Sequence, residues 1–254
     1  MGVWQNDLRD MLDISMGQAT MIGAMTWVGN AVSFLGGMLF DKSGPKVAIC
    51  LGACCMSLGY SLMGAALVSD VSKETKVFLA CLGSLLAGYA SVSLLDNITC
   101  MTCSISFPQN RAAVIGYLKG VLATAGGLWA LLWVQVFRND YGLVAFLAVS
   151  AIASFVVGVM SLSSMKILPV PGDAVKDRRD LARAVALIFL LTALTCFDVV
   201  AGYRYAKGIG ASNVNTAIIA LSLQMSPLLV LATVGGGSQL SHSSERVNSH
   251  GQLG

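Results

Sequence analysis

Three ionisable side chains lie within long runs of apolar residues, where charge is unusual. Asp96, Lys119 and Asp198 each interrupt a run that carries no other charge. A carboxylate or ammonium group in an apolar environment is costly, so it marks a candidate site for ion pairing, solute binding or proton transfer. We therefore predict that these residues, together with Asn97 beside Asp96, line a solute or ion pathway.

The spacing of Asp96 and Lys119 favours a pair between two antiparallel helices. Asp96 precedes Phe107 by eleven positions, about 16 Å along a helix, and Lys119 follows Ala112 by seven, about 10 Å. At these depths the two side chains could meet, and the lysine could attract an anionic solute such as a carboxylate. In the alternative, Lys119 extends to the membrane interface and Asp96 is protonated or hydrogen-bonded to its neighbours.

Asp198 leaves two interpretations open. It lies well inside the apolar run Ala184–Tyr203, where a carboxylate could couple to a proton. Alternatively, the helix ends early there, since Gly202 follows closely.

The seven cysteines do not predict redox or zinc chemistry. All of them lie in apolar runs, and Cys100 and Cys103 lack the strand-to-helix context of a redox motif. Cysteine in such runs behaves as a small hydrophobic residue. No metal site or cofactor is predicted, and His242 and His250 belong to a polar tail.

The composition indicates which elements must position these residues. Of 254 residues, 56% are hydrophobic and 11% charged, and the mean hydropathy is +0.74. Soluble proteins carry about 25% charged residues. The chain is therefore expected to lie in a lipid bilayer as an integral, multi-pass membrane protein, and nothing in it predicts binding to nucleic acid.

Seven apolar runs are long enough to cross a bilayer, which needs about 20 residues in a helix. Continuous rather than alternating apolar residues predict helices and exclude strands. We therefore predict an all-α, polytopic helical bundle. The seven predicted spans are Ala19–Phe40, Val47–Val68, Val77–Phe107, Ala112–Phe137, Tyr141–Met165, Ala184–Tyr203 and Val214–Val234. Small residues at four-residue spacing, Gly29–Ser33–Gly37 and Gly116–Gly120, predict close helix packing.

The basic residues predict the orientation, because cytoplasmic loops are enriched in lysine and arginine. The side with more of them is expected to be cytoplasmic, which places the C-terminus inside and the N-terminus outside. The nine on that side are Lys42, Lys46, Arg111, Lys166, Lys176, Arg178, Arg179, Arg183 and Arg246, against Arg9, Lys73, Lys76, Arg138, Arg204 and Lys207 on the other.

The loop between the first two spans is a tight turn that begins a helix. Gly44 permits an unusual backbone angle, and Pro45 suits a first helical turn. The pattern G-x-x-x-D-K-x-G-x-K, from Gly37 to Lys46, resembles the loop signature of the major facilitator superfamily, except for Pro45. The resemblance implies a cytoplasmic gating loop whose key residues are Gly37, Asp41, Lys42, Gly44 and Lys46.

A second stretch resembles the nodulin-like branch of that superfamily, which is related to monocarboxylate transporters. The branch carries N-F-P-x-x-R-G-x-V-x-G-x-L-K-G, and this chain has Phe107, Pro108, Arg111, Gly116 and Gly120 at the matching positions, with Ser106 and Ala112 as departures. The segment Leu95–Thr99 resembles a polar patch that the branch carries in its fourth span.

The two resemblances imply a register and a domain organisation. The span before Asp41 would be the second span of the family, so the first would be missing and the chain would be a fragment. Residues 1–162 would form the N-terminal bundle, 163–183 the cytoplasmic loop between bundles and 184–234 the start of the second bundle. Residues 235–254 are expected to be a disordered tail.

The resemblance implies transport of a small solute by alternating access, with a carboxylate or other organic anion as a candidate substrate. One alternative is a seven-span receptor, although the characteristic triplet of the third span and the Asn-Pro-x-x-Tyr of the seventh are absent. The other alternative is a truncated product that transports nothing. An enzyme is not expected, because the spans contain no histidine cluster and no Ser/His/Asp set.

Overall fold

The computed structural model of the chain describes residues 4–106, 111–138 and 141–164, and every element in these ranges is helical. The predicted spans Ala184–Tyr203 and Val214–Val234 lie outside the described residues, as do the inter-bundle loop and the tail. Two π-helical segments, Tyr89–Asp96 and Trp133–Phe137, continue α4 and α6. The α-helices are α1 (Gln5–Leu12), α2 (Met16–Ala31), α3 (Phe34–Val68), α4 (Lys73–Gly88), α5 (Asn97–Ser106), α6 (Arg111–Leu132) and α7 (Gly142–Ser164).

Three helical runs are long and apolar enough to cross a membrane: Phe34–Val68, Lys73–Ile105 and Gly142–Leu162. The second run combines α4, the first π-helical segment and α5. The other two predicted spans within the described residues coincide with α2 plus the beginning of α3, and with α6 plus the second π-helical segment. The fold is thus an all-helical membrane bundle, as predicted.

Gly44 divides α3 into two antiparallel parts. Its φ of 78° and ψ of 175° leave the helical region, and Pro45 begins the second part. Before the turn, Gly36 packs against Ser93, whereas after it Gly52 and then Gly59 pack against successively earlier residues of the α4–α5 run. The chain therefore reverses at Gly44, as the sequence predicts, and both parts pack on the same neighbouring span.

The first predicted span, Ala19–Phe40, is not one continuous helix. It is interrupted between α2 and α3. There the amide N–H of Ser33 donates a hydrogen bond to the Asn30 carbonyl at 3.1 Å, and the amide N–H of Gly36 donates one to the Ser33 carbonyl at 3.0 Å. Such bonds over three residues wind the chain more tightly than an α-helix. The residues that follow are therefore rotated about the span axis relative to an uninterrupted helix.

This rotation alters the predicted stripe of small residues. Gly29 packs against the backbone of α4, but the next close contact is made by Gly36, whose position would bring a Cβ to within 2.6 Å of the Ser93 carbonyl oxygen. A Cβ at Gly37 would have no neighbour within 4 Å. Gly37 therefore does not pack the helices as the four-residue spacing predicted.

The polar N-terminal segment forms α1, a short amphipathic helix that closes one end of the bundle. Leu8 and Leu12 are buried, and Gln5 donates a hydrogen bond to the Ala19 carbonyl at 3.0 Å. Two ion pairs hold its charged face to the beginning of α4 and the end of the second π-helical segment: Asp13–Lys73 at 3.2 Å and Asp7–Arg138 at 3.4 Å.

The six cysteines in the described residues are free thiols. Cys50 and Cys54 are exposed on the surface of α3, so they contact the surroundings of the bundle rather than its core. Cys100 and Cys103 are partly buried on α5. Cys196 lies outside the described residues.

Candidate functional site

Asp96 and Lys119 form an ion pair between neighbouring helices. The Lys119 ammonium group donates a hydrogen bond to Oδ2 of Asp96, and the Cys100 thiol, at 3.6 Å, donates to Oδ1. The Asp96 side chain is 11% exposed and that of Lys119 46% exposed. The Thr99 hydroxyl donates instead to the Leu95 carbonyl. Asp96 is therefore paired with Lys119 and accepts a hydrogen bond from Cys100 of its own helix, rather than from Thr99.

A π-helical segment sets the position of Asp96. Residues Tyr89–Asp96 form this wider turn, in which bonds span five residues instead of four. Each such turn changes the rotational phase of the residues that follow it, so the face presented by α5 differs from that of an uninterrupted α-helix. Ser93 and Leu94 are buried within the bundle, whereas Asp96 reaches α6.

A cavity of about 310 Å³ lies beside this ion pair, between the α2–α3 junction, α5 and α6. We call it the Arg111 cavity. Among its lining groups are the guanidinium of Arg111, the amide of Asn97 and the hydroxyl of Ser33, each of which can donate a hydrogen bond to a carboxylate or a similar oxyanion. Its lining residues are Ser33, Gly37, Asn97, Cys100, Met101, Ser104, Arg111 and Ile115.

The structure brings some of the predicted site residues together and leaves others apart. Asn97, Arg111 and Gly37 line the Arg111 cavity, and the Asp96–Lys119 pair lies next to it. Gly116 is exposed on α6, and a Cβ there would have no neighbour within 4 Å. Gly120, one turn further along, is partly buried. Phe107, Pro108 and Asp198 lie outside the described residues.

The predicted gating loop lies at the same end of the bundle as Arg111. Phe40, Ala48 and Ile49, which flank the loop, pack against Ile98 in the first turn of α5. The remainder of α5 runs on from this contact, and α6 then begins at Arg111. The charged side chains of the loop are exposed, and within the described part of the chain they form no ion pair or hydrogen bond. They are Asp41, Lys42 and Lys46.

Several residues that line the Arg111 cavity are not among the site residues predicted from the sequence. Ser33 was expected to pack helices, and Cys100 was interpreted as a small hydrophobic residue, yet both line the Arg111 cavity. Ser104 lies there too, although it donates its own hydrogen bond to the Cys100 carbonyl at 2.6 Å. Small polar residues are common in membrane helices, so their type alone gives no signal of which face they occupy.

The nodulin-like family model matches residues 1–232. The chain belongs to the nodulin-like family. This family is related to transporters of the major facilitator superfamily, so the nodulin-like chain is a multi-pass membrane protein of transporter type. No curated protein and no solved structure is significantly similar to it.

Proposed function

We propose that this nodulin-like protein moves a small organic anion across the membrane by alternating access between two helical bundles. The observation that carries the proposal is the Arg111 cavity, in which the guanidinium group has no ion-pair partner within the described residues. An arginine binds a carboxylate through two parallel hydrogen bonds. The amide of Asn97 and the hydroxyl of Ser33 would complete the shell around such a group.

In this proposal Arg111, rather than Lys119, supplies the attraction for the anion. The ammonium charge of Lys119 is balanced by Asp96, so the pair has no net charge. Its role would be to hold α5 and α6 in one arrangement and to exchange partners when the substrate passes. A substrate carboxylate close to Lys119 would compete with Asp96 for the ammonium group.

Uptake by the full chain reconstituted in liposomes tests this function. Radiolabelled lactate, pyruvate and acetate serve as the anionic probes, and we expect saturable uptake by the wild type of at least one of them. Arg111→Gln should reduce that uptake at least tenfold, the loss expected when about 1.4 kcal/mol or more of a charge-assisted interaction is removed. Lys119→Ala should reduce it as well.

Lys76→Gln is the matched control, because it removes one positive charge from the beginning of α4, at the other end of the bundle. It should retain wild-type uptake. Equal uptake by Arg111→Gln and the wild type would contradict the anion site, and the absence of saturable uptake of all three probes by the wild type would contradict carboxylate transport. Binding without uptake would favour a receptor or a non-transporting product.

The proposed gate is the loop from Gly37 to Lys46. Asp41, Lys42 and Lys46 are exposed at its turn, so they are available for charge pairing with a second bundle. A gate controls the rate of the conformational change rather than the binding of the substrate. We therefore expect Asp41→Asn to lower the maximal uptake rate with little change in KM, and a change confined to KM would contradict the gating role.

A further inference from the structure

A second cavity, of about 280 Å³, lies on the other side of the ion pair from Arg111. It includes Ser91, five positions before Asp96, and Gly126, seven positions after Lys119. Residues from every described membrane-spanning segment, and Trp4 next to α1, contribute to its walls. Its volume is just below the range for small-molecule sites, about 300–1,000 Å³. We call it the aromatic cavity.

Four aromatic side chains form much of its wall: Trp4, Tyr60, Trp129 and Phe146. Phe146 is 4% exposed, and its ring is held edge-to-face against Trp129 with centroids 5.8 Å apart. Trp133 packs on the same phenyl ring at 5.3 Å. Such fixed rings provide flat apolar surfaces against which a planar molecule can stack.

The polar groups of the aromatic cavity are the indole N–H groups of its two tryptophans and four hydroxyls, those of Thr26, Tyr60, Ser91 and Ser150. Ser91 donates to the Gly88 carbonyl at 3.1 Å, and Ser150 donates to the Phe146 carbonyl at 2.8 Å. A hydroxyl that has used its one proton in this way keeps its oxygen lone pairs. Ser91 and Ser150 are therefore able to accept a hydrogen bond from a ligand, while their own protons remain engaged with the backbone.

None of the described residues that line this cavity is charged. An anion would find no cation there, and a cation would find no carboxylate to offset the cost of leaving water. The aromatic cavity thus differs in chemistry from the Arg111 cavity, which contains a guanidinium group.

We infer that the aromatic cavity is a binding site for an uncharged aromatic molecule that carries a hydroxyl or N–H donor. The ring would stack among the aromatic walls, and the donor would reach the oxygen of Ser91 or Ser150. The inference does not depend on the proposed anion transport, because the two cavities share no described residue.

Thermal unfolding of the full chain in lipid nanodiscs tests the inference with three probes that share one ring system. These are 2-naphthol, which is neutral at pH 7 and carries a donor, the anion 2-naphthoate and the cation 2-naphthylmethylammonium. We expect 2-naphthol to raise Tm saturably, by about 2–4 °C at several times its Kd. The two charged probes should produce a smaller rise.

Substitutions at Gly126 separate binding in the cavity from partitioning into lipid. A Cβ at Gly126 would have no neighbour within 4 Å, so Gly126→Ala should keep the effect of 2-naphthol. Gly126→Leu places a larger side chain into the cavity and should abolish it, while improving helix propensity. Trp129→Leu, which removes one aromatic wall, should reduce the effect and provides a second variant if Gly126→Leu does not fold.

An equal rise in Tm for the Gly126→Leu and Gly126→Ala proteins would overturn the inference, because partitioning into lipid would then explain the effect. So would the absence of a saturable shift in the wild type. A larger shift with 2-naphthylmethylammonium than with 2-naphthol would also overturn it, since the aromatic walls would then favour a cation through cation–π contacts.

Discussion

The two members of the Asp96–Lys119 pair differ in their access to solvent. The aspartate is mostly buried, whereas almost half of the lysine side chain is exposed. A long lysine side chain can move its charge towards the interface when its partner is lost, but a buried carboxylate cannot. The cost of breaking the pair therefore depends on which residue is replaced.

We predict that Lys119→Met destabilises the protein more than Asp96→Asn, because it leaves the buried carboxylate without its cation. A double-mutant cycle of the two substitutions should yield a coupling free energy of about 0.5–3 kcal/mol. The measurement is reversible unfolding by SDS titration of the protein in mixed micelles.

The Asp7–Arg138 pair between α1 and the end of the second π-helical segment is the control for this cycle. It is more exposed, with side chains 25% and 55% accessible, so its coupling should be below about 1 kcal/mol. Equal coupling free energies for the two pairs would show that burial does not strengthen the Asp96–Lys119 pair.

At the scale of elements, backbone geometry at a few glycines determines how the helices meet. Gly44 adopts a combination of φ and ψ that is almost exclusive to glycine, and it reverses the chain between the two parts of α3. Gly59 and Gly83 lie face to face where α3 and α4 cross, and a Cβ on either would come within 2.7 Å of the other's carbonyl oxygen.

We predict that Gly44→Ala destabilises the bundle by about 1–3 kcal/mol, because alanine is strained in this conformation. Gly37→Ala in the same loop signature is the matched control: its Cβ would have no neighbour within 4 Å and its φ is not positive. Gly37→Ala should leave the unfolding midpoint in SDS unchanged or slightly higher. The same loss of stability in both variants would contradict a conformational role for Gly44.

Gly59→Ala should destabilise the protein by about 1–3 kcal/mol through overpacking at the α3–α4 crossing. At Gly64, five residues further along α3, a Cβ would be 3.9 Å from Leu147, which is ordinary van der Waals contact. Gly64→Ala is therefore expected to be neutral, and unfolding in SDS compares the two. Equal stability of both variants would mean that the helices separate easily at this crossing.

At the scale of the whole molecule, the antiparallel packing gives the helical bundle two ends that carry different residues. The Gly44 turn and the beginning of α6 lie at one end, with Arg111. At the other end, α1 packs over the ends of the spans and pairs with Lys73 and Arg138. Each cavity lies towards a different end: the Arg111 cavity towards the Gly44 turn, and the aromatic cavity towards Trp4 beside α1.

We predict that the Arg111 end faces the cytoplasm. In cells that carry at their surface a variant whose native cysteines are replaced, Asp70→Cys should react with a membrane-impermeant maleimide without permeabilisation, because Asp70 is exposed between α3 and α4. Ser43→Cys, at the opposite end, should react only after permeabilisation. The reverse pattern would contradict the orientation predicted from the basic residues, and labelling of both from one side would contradict the antiparallel bundle.

The sequence by itself was sufficient for the features that depend on local composition. Long apolar runs must form membrane helices, since backbone polar groups in lipid have to be satisfied within the segment. The Gly44–Pro45 pair specified a turn, and the motif around Arg111 indicated the family that the match over residues 1–232 then showed. The sequence also placed Asp96 and Lys119 at similar depths, but it left their pairing as one of two alternatives.

Only the tertiary structure decided which side chains share a cavity or a contact. The tight junction before Phe34 and the π-helical turn before Asn97 each rotate the residues that follow, so that Gly36 rather than Gly37 packs and Asp96 meets Lys119. The amphipathic packing of α1 was likewise not foreseen. The physical reason is that the face occupied by a residue depends on the accumulated rotation of its helix, and irregular turns in that helix are stabilised by neighbouring segments far away in the sequence.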